Sequence, residues 1–159
     1  MAIAFEPIGK IYTPFKTREG MPIQSSGAQG ARGKIILQEE FIQGLADLDG
    51  FSHIILIYHF HQSSGFDLLT KPFLDSEERG VFAARAPRRP NPIGISVVRL
   101  LKIVHNVVHI AEVDMLDGTP LLDIKPYIPA FDVHSTEKAG WTESKTDDLN
   151  QARSDKRFE

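Results

Sequence analysis

The sequence has no cysteine, which excludes disulfide staples, cysteine-bearing zinc sites and thiol nucleophiles and fits a reducing, cytoplasmic setting. No apolar run approaches the roughly 18 to 20 residues that a membrane span requires. The first residues, Met1-Ala2-Ile3-Ala4-Phe5-Glu6, lack the basic start and long apolar stretch of a secretory leader. Neither secretion nor a membrane partner is therefore expected. Ahead of the C-terminal tail no amphipathic pattern of about 12 or more residues supports a long helix. Also missing are a glycine-rich dinucleotide fingerprint after a strand, a P-loop, a G-x-S-x-G elbow and an H-E-x-x-H pair. Their absence removes most support for the common nucleotide-fold and hydrolase readings.

What is present is a chain of 159 residues, 42% hydrophobic and 25% charged, the composition of one ordinary globular domain with a core. Its net charge of −3 argues against a generic nucleic-acid coat, and DNA is not expected as a partner. The charge is uneven. Residues 1–110 carry 12 Lys/Arg against 10 Asp/Glu, and residues 111–159 carry 6 against 11, so a local basic surface is compatible with the acidic total.

Strand signals recur at short spacing. Residues 3–12, interrupted by Pro7 and Gly9, read as an early or edge strand. Residues 13–33 hold Pro14, Gly20, Pro22, Gly27, Gly30 and Gly33, a breaker density that predicts an irregular, functional loop. A short strand starts at 33–37, and 39–48 could make a helical turn or two. The run 52–60, apolar on both faces at its centre, reads as a buried central strand. Further strands are expected at 80–84, 93–104, 107–115 and 121–125, with His105-Asn106 as a hairpin turn. Strands without intervening helices predict a mainly β fold, an antiparallel barrel or sandwich. Residues 131–159 form a polar tail, irregular or partly helical, set apart from a β domain over 1–130 and packing on it or on a partner subunit.

Three constellations carry chemistry. The stretch from Gly80 to Gly94 packs Arg85, Arg88 and Arg89 among Pro87, Pro90 and Pro92. Proline fixes φ and donates nothing to a ladder, so this loop is stiff enough to hold arginines in place for an anion or RNA; a solvated turn is the plain alternative. The stretch from Asp114 to Tyr127 contains the turn Asp117-Gly118-Thr119-Pro120. Alternation puts Asp123, Lys125 and Tyr127 on one side of a strand, where carboxylate, ammonium and phenol could converge. His53, His59 and His61 share a strand face, but His53 lies about 20 Å from His59 along an extended chain. No metal site is expected; packing, or ligand contact at His61-Gln62, is favoured.

These segments, in this order, resemble the TrmO or TsaA-like family of S-adenosylmethionine-dependent tRNA methyltransferases. The blocks are Pro22-Ile23-Gln24, Gly50-Phe51-Ser52-His53 through Phe60-His61-Gln62, Phe82 to Gly94, and Asp114 to Tyr127. The resemblance implies a small antiparallel β-barrel, usually a homodimer. It implies methyl transfer from S-adenosyl-L-methionine to N6 of threonylcarbamoyladenosine in the tRNA anticodon loop. Carried over by position, it implies cofactor contacts at Gln24, Ser25, Ser26, Gly27, His61, Gln62, Arg85, Ile95, Asp117, Gly118, Thr119 and Pro120. Arg88 and Arg89 are the candidate RNA contacts. Asp114, Asp123 and Tyr127 are the candidates for accepting a hydrogen bond from the attacking nitrogen, which is weakly nucleophilic because its lone pair is delocalised. The chain departs from the family pattern at Ile23, where arginine is common, and at Ala84, where threonine is. The competing readings are methylation of a small metabolite and a non-enzymatic RNA- or protein-binding barrel.

Overall fold

The computed structural model describes residues 1–23, 27–28, 30–73, 75–143 and 145. Among them are the strands β1 (Gly9–Tyr12), β2 (Arg32–Leu37), β3 (His53–His59), β4 (Leu69–Thr70), β5 (Arg79–Gly80), β6 (Ile93–Val104), β7 (Val107–Ala111) and β8 (Thr119–Pro126), and the short helix α1 (Pro129–Asp132). Six strands close into an antiparallel barrel in the order β1-β2-β7-β6-β3-β8, with β8 pairing back onto β1. Closure leaves no exposed sheet edge in the barrel. The strands β4 and β5 form a separate ribbon.

Period-two alternation builds the core. On β3, Ile54, Leu56 and Tyr58 point inward, while His53, Ile55, Ile57 and His59 are half-buried on the outer face. The expected central strand is therefore buried on one face only, because a barrel has one interior. Ile11, Ile35, Val98, Val108, Ile110, Val113 and Leu121 complete the core and are fully excluded from solvent. Each such aliphatic contributes roughly 1.5–3 kcal/mol.

Two bulges correct the simple alternation. Ile57 faces Asp123 but Tyr58 faces Leu121, so Leu122 is an extra residue in β8; Leu101 is extra in β6. An inserted residue reverses the facing of the residues after it. Leu121 is thus interior while Asp123 and Lys125 are exterior, and Ile124 packs against the core.

Several expected boundaries shift. The first strand begins at Gly9 rather than Ile3, although Ile8 N–H still donates to Leu121 O at 2.8 Å. Ile3 and Phe5 are exposed. Residues 39–48 give a 3₁₀ helix over Glu39–Leu45. The expected strand 80–84 contributes only Gly80 to β5, and Val81–Ala83 turns as a 3₁₀ helix that buries Val81. The closed barrel offers this segment no edge to join. The strand expected to run to Met115 stops at Ala111, because Glu112 takes φ +64 and donates its N–H across to Ala31 O at 2.7 Å. The hairpin turn does fall at His105-Asn106, with His105 at φ +55. Asn106 Nδ2 donates to Leu37 O at 2.9 Å and stitches that turn to β2. Farther on, Trp141 Nε1 donates to Ala83 O at 2.8 Å, and Lys145 pairs with Asp75 at 3.1 Å.

Candidate active site

Antiparallel order gathers the candidate loops. The C-terminal ends of β1, β3 and β7 and the N-terminal ends of β2, β6 and β8 lie at one mouth of the barrel. Loops 13–31, 60–92 and 112–118 therefore all emerge there, although they span most of the sequence. The opposite end carries the tight His105-Asn106 turn.

Loop 13–20 ties these segments together. Thr13 N–H donates to Asp117 Oδ1 at 2.9 Å, and its hydroxyl donates to Met115 O at 2.8 Å. Lys16 Nζ reaches Asp117 Oδ2 at 2.5 Å and holds that carboxyl below its ordinary range. Gly118 adopts φ +78, a conformation glycine enters without steric cost, and donates to Ile11 O at 2.8 Å. Farther along the loop, Arg18 donates to Gln62 O. The corner 61–64 joins the proline loop in turn, through Ser63 Oγ to Pro87 O at 3.0 Å and Arg88 Nη1 to Ser64 O at 2.9 Å. The Asp117 turn and the His61-Gln62 corner thus belong to one hydrogen-bonded rim.

The three arginines of the proline loop are used differently. Arg89 Nη1 donates to Ala84 O at 2.9 Å and Ala86 O at 3.1 Å, fixing the shape of the loop. Arg88 pairs with Asp67 at 2.9 Å. Arg85 is exposed and has no ion-pair partner among the described residues. Its charge acts instead on two groups beneath it, Asp114 and Tyr58.

Beneath the rim lies a polar chain of two buried hydroxyls and a half-buried carboxylate. Ser96 Oγ donates to Asp114 Oδ1 at 2.6 Å, which leaves Tyr58 O–H to donate to Ser96 Oγ at 2.9 Å. Burial pushes the Asp114 carboxyl from 3.8 up to about 6, and the Ser96 hydrogen bond and the Arg85 charge only partly offset it. Burial, with the Asp114 charge adding to it, drives the Tyr58 phenol far above its ordinary range and keeps it a donor. Gly94 makes room for this ring. A Cβ there would lie 2.3 Å from Tyr58 Cε2 and 2.9 Å from Phe60 Cζ. His61 at the rim is held below its ordinary value, first by burial and then by the charges of His59 and Arg18.

The expected site residues divide accordingly. Gly27, His61, Gln62, Arg85, Asp114, Asp117, Gly118, Thr119 and Pro120 lie at or beside the mouth. Gln24, Ser25 and Ser26 lie outside the described residues. Ile95 is on the outer face of β6, 56% exposed, opposite Ile57. Asp123 also faces outward and pairs with Lys125 at 2.8 Å, while Tyr127 sits past the far end of β8 with its ring edge-on to His53, 6.3 Å between centroids. Asp114, Asp123 and Tyr127 therefore do not form one constellation. Among the described residues no group of three or more His, Asp or Glu could hold a metal ion. Sequence patterning passes over Tyr58 and Ser96; the signal was a lone hydroxyl at an interior position of β6, which a core accepts only with a partner.

The fold and mouth define a small closed barrel with one polar, loop-built end, the arrangement in which such barrels hold a ligand. Residues 10–133 match the family model described as the tRNA-methyltransferase O N-terminal domain. The chain belongs to that family. It is 52% identical over 158 residues to a probable S-adenosyl-L-methionine-binding protein of Pyrococcus abyssi, covering 99% of this chain and 86% of that one. It is 36% identical over 134 residues to the mouse tRNA (adenine(37)-N6)-methyltransferase, covering 80% of this chain and 31% of the enzyme. The crystal structure of TrmO from Pseudomonas aeruginosa superposes with a TM-score of 0.75 at 38% identity, covering 89% of this chain and 63% of that one. The chain thus spans less than two thirds of that structure and about a third of the mouse enzyme.

Proposed function

We propose that this protein is an S-adenosylmethionine-dependent tRNA methyltransferase that modifies N6 of threonylcarbamoyladenosine, the base 3′ of the anticodon. The observation that carries this reading is the donor set at the mouth. Among the described residues Arg85 is a guanidinium without a carboxylate partner, and Asp114, which feels its charge, is a half-buried carboxylate that no cation pairs. Such a pair fits a ligand with an amino-acid end and a sulfonium, which brings one carboxylate and two positive charges. The names of the Pyrococcus and mouse relatives agree with that fit.

Bound there, S-adenosylmethionine supplies an electrophilic methyl group. The chain's part is to position and to tune the field. Arg85 holds the carboxylate end in a planar fork, and the His61-Gln62 corner and the Asp117-Gly118-Thr119-Pro120 turn frame the remainder with backbone groups. Gly27, in the loop that emerges at the same mouth, adds a further backbone contact. Asp114, raised to about 6, is ionised at neutral pH yet basic enough to accept the exocyclic N–H and hold the proton the nitrogen gives up. Ser96 and Tyr58 fix its orientation. The anticodon base reaches the mouth by unstacking. A homodimer, covering exposed Phe82, Ile93 and Ile95, and a cytoplasmic location complete the reading; no helix among the described residues is long and apolar enough to cross a membrane.

Isothermal titration with S-adenosylmethionine, run beside Arg85→Ala, is the test. Micromolar binding that the variant loses supports the reading. A folded wild type that binds none of it refutes the reading and favours a binding barrel. Binding without methyl transfer to threonylcarbamoylated tRNA shifts the substrate to a small metabolite.

A further inference from the structure

Away from the mouth's centre, the outer face of β1, β2 and β7 carries a shallow groove of about 410 Å³. Lys16, Arg32, Lys34 and His109 line it beside Tyr12, and among the described residues Asp117 is its only acidic one. That carboxylate is already neutralised by Lys16 at 2.5 Å. Arg32 and Lys34 are exposed, and among the described residues neither has an ion-pair partner. In a chain of net charge −3, two uncompensated cations on one rigid strand form a local positive field with no structural task.

Register makes the field a track. Tyr12 pairs with Lys34, Lys34 with His109 and His109 with Lys102, so four side chains cross the outer face in one row. One pleat nearer the mouth, Arg32 faces Ala111 and Ala111 faces Arg99, with the small alanine between two arginines. Neighbouring strands lie about 4.8 Å apart, and residues two apart on a strand lie about 7 Å apart. This grid has the scale of adjacent phosphates on a nucleic-acid strand. Tyr12 adds a ring at its edge of the kind on which a base can stack. The groove is continuous with the candidate site, because Asp117 lines the one and belongs to the turn of the other.

We propose that this face is a phosphate-binding track for the RNA substrate, with Arg32 and Lys34 as its principal contacts. The inference rests on the tRNA reading and extends it. Within the proline loop, Arg88 and Arg89 spend donors on Asp67, Ser64, Ala84 and Ala86, whereas Arg32 and Lys34 spend none on the described residues. Backbone binding of this kind fixes register and carries no sequence information. Its role is to lay the RNA across the barrel so that the target base reaches Asp114.

The test is tRNA binding by the full chain across a range of KCl concentrations, comparing wild type, Arg32→Ala/Lys34→Ala and, as a surface control, Lys138→Ala. Each phosphate contact contributes roughly 0.7 to 0.9 to the slope of log K against log salt. The double variant is expected to lose about 1.5 of that slope and roughly 10-fold to 100-fold in affinity at low salt. The control keeps both, and all three proteins keep their affinity for S-adenosylmethionine. A double variant with wild-type slope and affinity overturns the track and leaves the tRNA reading standing. A wild type that binds no tRNA at any salt overturns both. Displacement of tRNA by polyglutamate as readily as by unlabelled tRNA overturns the assignment in favour of an acidic protein partner.

Discussion

Replacing Asp114 by asparagine separates burial of a charge from every other contribution at the same position. The folded protein holds this carboxyl at about 6, against 3.8 in an ordinary setting. The folded value lies above the unfolded one, so the folded state binds the proton more tightly. The associated stability is fully present below about pH 4 and is lost as pH rises through about 6. A difference of about 2 at about 1.4 kcal/mol each amounts to about 3 kcal/mol. Asparagine keeps an oxygen for the Ser96 hydroxyl but does not titrate. The stability of Asp114→Asn relative to wild type should therefore climb by about 3 kcal/mol between about pH 4 and pH 7.5, whatever its offset at either end. Guanidinium unfolding followed by far-UV circular dichroism at several pH values measures this directly. Other titrating groups are common to both proteins and cancel. Stability curves that run parallel within about 0.5 kcal/mol across that range refute the burial argument, and with it the reason for assigning Asp114 a base role. If the role is right, methyl transfer by the same variant at about pH 7.5 falls by a larger factor than its affinity for S-adenosylmethionine does.

Gly94→Ala forces a Cβ to within 2.3 Å of the Tyr58 ring and should cost about 2–3 kcal/mol; a change under about 0.5 kcal/mol in chemical unfolding would show that the ring has room. Thr13→Val removes the buried donor to Met115 O and should cost about 1–3 kcal/mol, while loosening the Asp117 turn so that S-adenosylmethionine affinity falls as well. An unchanged affinity would separate that turn from the cofactor. Ser96→Ala takes away the hydrogen bond that lowers the Asp114 carboxyl, so the midpoint followed by carbon-detected NMR should move to higher pH; a downward move contradicts the assigned geometry.

Much of the scaffold was legible because the rules behind it are local. The β-branched and aromatic run 52–60 marked β3, though not which of its faces is interior, and the pair His105-Asn106 marked the hairpin between β6 and β7. Proline spacing marked a stiff loop and placed Arg85 in it. Alternation failed where the chain gained a residue, at Leu101 and Leu122, since a bulge is a property of two paired strands and not of either alone. It failed again at 80–84, where a strand-like composition met a barrel already closed.

The site divides along the same line. Residue chemistry alone supplied the candidates, an arginine in a rigid loop, a carboxylate near the end of an expected strand and a tight Asp-Gly turn. Only the tertiary structure decided which of them meet. Asp114, Asp123 and Tyr127 were equivalent on paper, and barrel closure sent the last two to the outer wall and the far end while setting the first, half-buried, against the buried hydroxyls of Ser96 and Tyr58. The basic row of Lys34, His109 and Lys102 is invisible in sequence because its members lie on three strands and become neighbours through register. Local propensity is set by a few adjacent residues, whereas convergence, burial and the charge shifts that burial causes depend on contacts between residues far apart along the chain.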